Sequence, residues 1–396
     1  MGWEENVERH RDDTGSVDRL LILVTVLIVA FGVLALFSAS FAVGDDFWRK
    51  QILWISIGAL AAVLVTHIPY SVWAKVALPL LGVTLVMLLI TVLFGDKVWG
   101  ARRGLVAGSS IQPGVLARLI TVIYIAAWLA SKGEELNQVR TALIPFGVII
   151  GVTAVLVMAQ KDLSTAFLLI GTGLLMFFFA GGDPLQIFFT VIIGTVGGGA
   201  VAMLLPYSRE RLADWVASFS DPTKMPYQVW RAFQAISHGG VTGTGLGRGV
   251  LKFGYLPVPH TDSIFAVIAE EAGLLGCLIV LGLFAVFAWR GYRIALSTAN
   301  PFGSLIAFGV TTMIISEAAL NIAVMVGLFP PTGTALPFFS YGGTGMVVNL
   351  VGLGLLLSVS RGRPRGVWDE ALDRWWRNWR TRLSGARRRP GFGRSL

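Results

Sequence analysis

Several apolar runs in this chain are free of charge and long enough to cross a lipid bilayer: Leu20–Gly44, Val76–Gly95, Thr141–Gln160, Leu163–Gly182 and Pro184–Ser208. About 20 predominantly apolar residues suffice for one helical crossing. Hydrocarbon offers no hydrogen bonds, so the backbone of such a run satisfies itself by coiling into a helix. Only 14% of the 396 residues are charged, against about a quarter in soluble domains. The expected fold class is all-α, a polytopic membrane protein.

Ten spans fit, at roughly 20–42, 48–67, 74–94, 113–131, 141–159, 163–181, 184–206, 263–289, 302–328 and 342–360. The first follows 19 polar-rich residues and is too long for the apolar region of a signal peptide, so it reads as a retained span. The organisation is a tail over 1–19, a membrane domain over 20–360 and a second tail over 361–396. Lys75, Lys132, Arg140, Arg290 and Arg293 all follow even-numbered spans. The bias of Lys and Arg toward the cytoplasm places these links and both termini inside. The links 43–47, 95–112, 160–162, 207–262 and 329–341 then face outward, with 207–262 as a long extracytoplasmic loop.

Two outward segments break the bias: one holds Arg102 and Arg103, and the long one holds Arg209, Arg211, Lys224, Arg231, Arg248 and Lys252. Long loops escape the rule. A short one points to an anionic ligand. The net charge of +9 is local, since from Arg361 onward there are 11 Arg against 3 acidic residues. The body is nearly neutral, which argues against a nucleic-acid partner. In the tail, Trp368, Leu372, Trp375, Trp376, Trp379 and Leu383 recur at helical spacing opposite arginines. That is the pattern of an interfacial helix on anionic lipid. The one cysteine, Cys277, has no partner for an intramolecular disulfide. The triplet Gly197-Gly198-Gly199 suggests close helix packing.

Ionisable groups within membrane spans are costly and usually functional. Here they are Arg118, Glu270, Glu271 and Glu317, with Asn321 one turn beyond Glu317 on the same helix face. A hydrogen-bonded Glu317–Asn321 pair holding helices together is as good a reading as a functional one. Outward links carry denser polar chemistry. Ser110–Leu119 starts a span with Pro113 where its missing N–H is harmless. Asp162 can cap the sixth span. Phe329–Gly345 is proline-rich and then glycine-rich, and Gly342-Gly343 at a helix start could cradle an anion. Gly243–Gly249 imitates a dinucleotide fingerprint but has no strand-helix unit around it.

These segments resemble the SEDS family (shape, elongation, division and sporulation), the RodA/FtsW/SpoVE-like peptidoglycan glycosyltransferases, over about Leu20–Arg361. The resemblance rests on Gly100-Ala101-Arg102-Arg103, on Gln112-Pro113 with Arg118, on Gln160–Ala166, on Leu256–Ser263 with His260-Thr261-Asp262, and on Leu336–Thr344 with Ser340-Tyr341-Gly342-Gly343. Val115 and Val258 stand where the family pattern has Glu, Lys161 where it has Pro, Arg118 where it has Lys, and Glu317 where it has Gln.

The resemblance implies polymerisation of lipid-linked disaccharide (lipid II) on the outer face of a bacterial cytoplasmic membrane, beside a class B penicillin-binding protein. It makes Asp262 the catalytic residue. Arg102, Arg103, Arg118, Gln112, Asp162, His260, Thr261, Ser340, Tyr341, Gly342 and Gly343 are then expected to bind substrate, with Glu270, Glu271, Glu317 and Asn321 in support. A divalent cation (Mg or Mn) would suit the departing diphosphate, although the sequence holds no dedicated metal cage. Two other classes fit: a lipid-linked sugar transporter, and a non-catalytic scaffold recruiting a transpeptidase.

Overall fold

The computed structural model describes residues 17–44, 46–98, 101–104, 112–133, 136, 138–204 and 206–362. The interfacial helix expected at Trp368–Leu383 lies outside the described residues. Twelve α-helices are described: α1 (Arg19–Val43), α2 (Phe47–His67), α3 (Tyr70–Phe94), α4 (Pro113–Lys132), α5 (Ile144–Ala159), α6 (Leu163–Phe179), α7 (Pro184–Leu204), α8 (Pro206–Ser218), α9 (Tyr227–Gly239), α10 (Ile264–Ser297), α11 (Pro301–Met325) and α12 (Gly343–Arg361). A π-turn, Val139–Leu143, leads into α5.

Eight segments among the described residues are long and apolar enough to cross a membrane; α6 and the first part of α7 are shorter apolar helices. Seventeen residues, the length of α6, lie at the lower end of the roughly 17–25 that can span. These ten elements fall where the ten spans were expected. Between α3 and α4 runs an unforeseen two-stranded antiparallel hairpin, β1 (Asp96–Val98) and β2 (Ala101–Gly104), which pairs Lys97 with Arg102.

Local chemistry sets the helix ends. Asp18 accepts from the Leu21 N–H, Asp162 from Thr165 and Asn300 from Phe302 and Gly303. Each satisfies donors that a helix start leaves open. Pro113 and Pro301 occupy first-turn positions, where proline costs no hydrogen bond. Burial sorts the bundle: 72% and 78% of the central windows of α11 and α12 are buried, against 28% for α2 and α3. The first pair, with α4, forms the interior. The exposed apolar faces of α1–α3 are those of lipid-facing helices.

Segment 207–262 is not a plain loop. It contains α8 and α9 and then an irregular run. Between the two helices Asp221 accepts from the hydroxyl and N–H of Thr223, at 2.6 and 3.0 Å. These bonds hold its carboxyl below the ordinary range. The eighth span also exceeds its expected length, reaching Ser297. Arg290 lies inside that helix and is tied to Asp18 at the start of α1 by an ion pair of 2.5 Å, so charge does not end the helix there.

Gly197, Gly198 and Gly199 do not pack tightly against the chain, because a Cβ added at any of them meets nothing within 4 Å among the described residues. Close approach occurs instead at Gly343, where an added Cβ would stand 2.5 Å from Trp54 Cε2. Overpacking of this kind costs about 1–3 kcal/mol. Gly343→Ala is expected to lower the melting temperature of the purified protein, and Trp54→Phe in the same chain to restore part of it. An unchanged melting temperature in Gly343→Ala would refute the close packing.

Candidate active site

The site is organised by a break in α10. Gly273 has φ +64°, a conformation glycine reaches without a Cβ penalty, and it interrupts the helix. Breaking a helix frees backbone groups, and the glycine-rich run after α9 takes them up. Thr244 and Gly245 donate to the carbonyls of Glu270 and Glu271, while Leu274 and Leu275 donate to those of Gly240 and Val241. The Gly243–Gly249 run therefore closes against a split helix.

The break also divides α10 just beyond two of its acids, Glu270 and Glu271. Ile264–Glu271 are buried, and the exposed leucines of α10 begin at Leu274. The part after the break, Leu274–Ser297, is about 36 Å long at ~1.5 Å per residue, enough for a hydrocarbon core of roughly 30 Å. Glu270 and Glu271 sit above that part and are saturated. Glu270 accepts from the Val250 N–H at 2.8 Å and the Leu251 N–H at 3.2 Å, and contacts His238 Nδ1 at 3.0 Å. Glu271 accepts from Ser38 Oγ at 2.6 Å, the Gly247 N–H at 3.0 Å and Lys252 Nζ at 2.5 Å. Lys252 is fully buried, and its ammonium also donates to Ser38 Oγ and the Gly247 carbonyl, filling its three donors. Both acids are thus engaged within the protein.

From this anchor the chain runs to His260-Thr261-Asp262. Val258 adopts φ +42°, a strained conformation for a β-branched residue. Its carbonyl accepts from the Thr261 N–H at 3.1 Å. The N-cap of α10 falls on Ser263, one residue past Asp262, so Asp262 is not in the cap position. The segment that leads into α12 grips the motif's backbone: Ser340 Oγ donates to the Thr261 carbonyl at 2.7 Å, and the Tyr341 N–H donates to that of His260 at 2.8 Å. Asn321 Nδ2 donates to the Asp262 carbonyl at 2.8 Å and the Thr334 carbonyl at 2.6 Å. The His260 ring stacks on Phe47, with centroids 4.2 Å apart. A Cβ at Gly333 would lie 3.4 Å from Asp262 Oδ2, so the loop 329–341 passes beside the carboxylate.

The same loop reaches the sixth span. Ser164 Oγ donates to the Thr332 carbonyl at 3.0 Å, next to Asp162, which caps α6. Gln112 joins through its N–H to Thr344 Oγ1 at 3.0 Å. Four of the five expected motifs are thus linked by hydrogen bonds around one loop. Of Arg102 and Arg103 only the backbone, on β2, is described. The Gly342 N–H is not an open anion cradle, because it donates to Gln51 Oε1 at 3.3 Å.

Arg118 lies inside the bundle, on α4. It is 2% exposed and lies 2.8 Å from Glu317 Oε2, in ionic contact off the axis that a hydrogen bond needs. Beside it, the buried hydroxyls of Thr121 and Thr172 have no hydrogen-bond partner among the described residues and line a cavity of about 10 Å³, room for roughly one water. Glu317 therefore pairs with Arg118, and not with Asn321. Sequence reasoning missed Ser38, Gln51, Phe47 and Trp54, which are single residues in apolar helices with no pattern to mark them.

Among the described residues no three His, Cys, Asp or Glu side chains gather as a metal cage would require. A cation shared between one carboxylate and substrate phosphates, the common magnesium mode, remains compatible with Asp262.

The FtsW/RodA/SpoVE family model, described as cell cycle protein, matches residues 18–364. Stage V sporulation protein E of Bacillus subtilis is 33% identical over 356 residues, which cover 87% of this chain and 97% of that protein. A probable peptidoglycan glycosyltransferase FtsW of Geobacter metallireducens is 34% identical over 353 residues, covering 87% and 94%. The rod shape determining protein RodA of Thermus thermophilus superposes with a TM-score of 0.68 at 26% identity, over 89% of this chain and 99% of that one. A chain of a peptidoglycan synthase complex that coordinates polymerisation and crosslinking gives 0.73 at 25% identity, with the same coverage. Matched along nearly its whole membrane domain, this chain belongs to the FtsW/RodA/SpoVE family of cell cycle proteins.

Proposed function

We propose that this protein is a peptidoglycan glycosyltransferase that polymerises lipid-linked disaccharide, lipid II, into glycan strands. The observation that carries the reading is the grip on His260-Thr261-Asp262. Ser340, Tyr341 and Asn321 fix the backbone of all three residues, and the loop at Gly333 passes beside the carboxylate of Asp262. Holding a reacting group in place is a large part of catalysis. Asp262 accepts the proton of the attacking sugar hydroxyl as the diphosphate leaves. Arg102 and Arg103, on the hairpin that precedes Gln112, hold the diphosphate through forked hydrogen bonds. When bound, a divalent cation would share Asp262 with phosphate oxygens and offset charge on the leaving group.

A class B penicillin-binding protein is the proposed partner, consistent with the likeness to a synthase-complex chain. Both termini lie in the cytoplasm, the site faces outward, and the basic tail rests on anionic lipid. With Cys277 replaced, a cysteine at Ser220 should react with an impermeant reagent on intact cells while one at Ser384 stays protected. Labelling of Ser384 would invert the topology.

The direct test supplies purified protein with labelled lipid II, alone and with a transpeptidase partner, and follows chain growth. Polymer is expected. Movement of lipid II between leaflets without polymer would favour a transporter, and partner recruitment without polymer a scaffold.

A further inference from the structure

Between α9 and the run 250–255 lies an open cleft of about 710 Å³, separate from the His-Thr-Asp motif. Small-molecule sites typically occupy roughly 300–1,000 Å³. Trp230, Phe233, Val250, Leu251 and Tyr255 give it apolar walls, and Arg231 is its only Lys or Arg. The guanidinium of Arg231 lies 5.0 and 5.4 Å from the ring centroids of Tyr227 and Tyr255. Nη1 donates to Gln234 Oε1 at 2.7 Å, while the buried Nε has no acceptor among the described residues. No carboxylate lies within ion-pair distance of Arg231 among the described residues. The nearby acid, Glu270, is already committed to His238, Val250 and Leu251. A cation set among aromatic rings, with no counter-ion of its own, is complementary to an anion.

The level of the cleft fixes what carries that anion. Val229, Ala232, Ala235 and Gly239 form the buried face of α9, and His238 ties it to Glu270, just before the break in α10. The lipid-facing part of α10 starts at Leu274, so α9 stands at the edge of the hydrocarbon. There the exposed Tyr227, Trp230 and Phe233 are suited to the boundary between water and acyl chains.

We propose that this cleft binds an anionic phospholipid, with its phosphate on Arg231 and part of an acyl chain against Trp230, Phe233 and Leu251. This site is independent of the polymerase reading and of the basic tail. Its occupant would pin α9, and with it the Glu270 anchor, to the bilayer.

The test is native mass spectrometry of the full-length protein released from bilayers of equal phosphatidylglycerol and phosphatidylcholine. The wild type should retain phosphatidylglycerol preferentially. Arg231→Gln should cut the occupancy of one tightly held phosphatidylglycerol about tenfold, equivalent to ~1.4 kcal/mol, while lipid held by the basic tail is unchanged, with the melting temperature in neutral detergent showing that the fold persists. Arg231→Lys, which keeps the charge, should retain most of the preference even if Arg231→Gln folds poorly. Arg209→Gln, an exposed cation outside the cleft, should change nothing. Equal retention of the two lipids by the wild type would overturn the proposal. So would undiminished preference in a folded Arg231→Gln protein, or capture of the transpeptidase at Trp230 in place of lipid by a photoreactive side chain.

Discussion

Purified Asp262→Asn protein is expected to fold, reach the membrane and bind lipid-linked substrate, yet to lose at least about 100-fold in glycan polymerisation, the usual scale of general-base catalysis. Asparagine has nearly the shape of aspartate but cannot take the proton. The structure sharpens the test, because the N-cap of α10 is Ser263 and the motif is gripped through main-chain carbonyls that the substitution leaves intact. Melting temperature and lipid binding should therefore stay near wild type while turnover collapses. Near-normal polymer synthesis by the folded variant would remove Asp262 from the chemistry.

The second large effect is expected at the Lys252–Glu271 pair. Both side chains are almost wholly buried, and their charges meet at 2.5 Å. Removing one partner strands the other charge away from water, at a cost of about 3–5 kcal/mol. Total stabilities of proteins are roughly 5–15 kcal/mol. Lys252→Met and Glu271→Gln should each deplete the folded protein in the membrane and lower its melting temperature steeply. The double variant leaves no stranded charge, so its loss should be smaller than the sum of the two. Strict additivity, or single variants that melt like the wild type, would show that this pair does not anchor the glycine-rich run. The activity of surviving protein should fall as well, since the anchored run leads directly into Leu256–Asp262.

The ten membrane elements were legible because bilayer crossing imposes a length and composition that any such helix must meet. The order of the polar motifs was legible too, and hydrogen bonds do link four of them around the segment Thr332–Thr344. Partner choice was not legible. Glu317 and Asn321 share a helix face, which suggested that they meet. Instead Arg118 from α4 takes Glu317, and the backbone at Asp262 and Thr334 takes Asn321. Side chains one turn apart on a helix can meet, but a buried charge pairs with an opposite charge from another helix when packing brings one close.

The two-residue acid motif Glu270-Glu271 marks the same divide. Its place in an apolar run suggested acids inside the bilayer. The sequence contains Gly273 and the glycine run 239–249, but nothing in one dimension says that one closes the break made by the other. By itself, then, the sequence determined that the chain crosses the membrane in helices and which connecting segments hold the polar motifs, since hydropathy and charge are local properties. The tertiary structure decided which end of α10 is buried in protein, which carboxylates are already satisfied and what holds Asp262 in place. Those depend on hydrogen bonds and ion pairs between residues as far apart as Ser38 and Glu271, whose geometry exists only once the helices have packed.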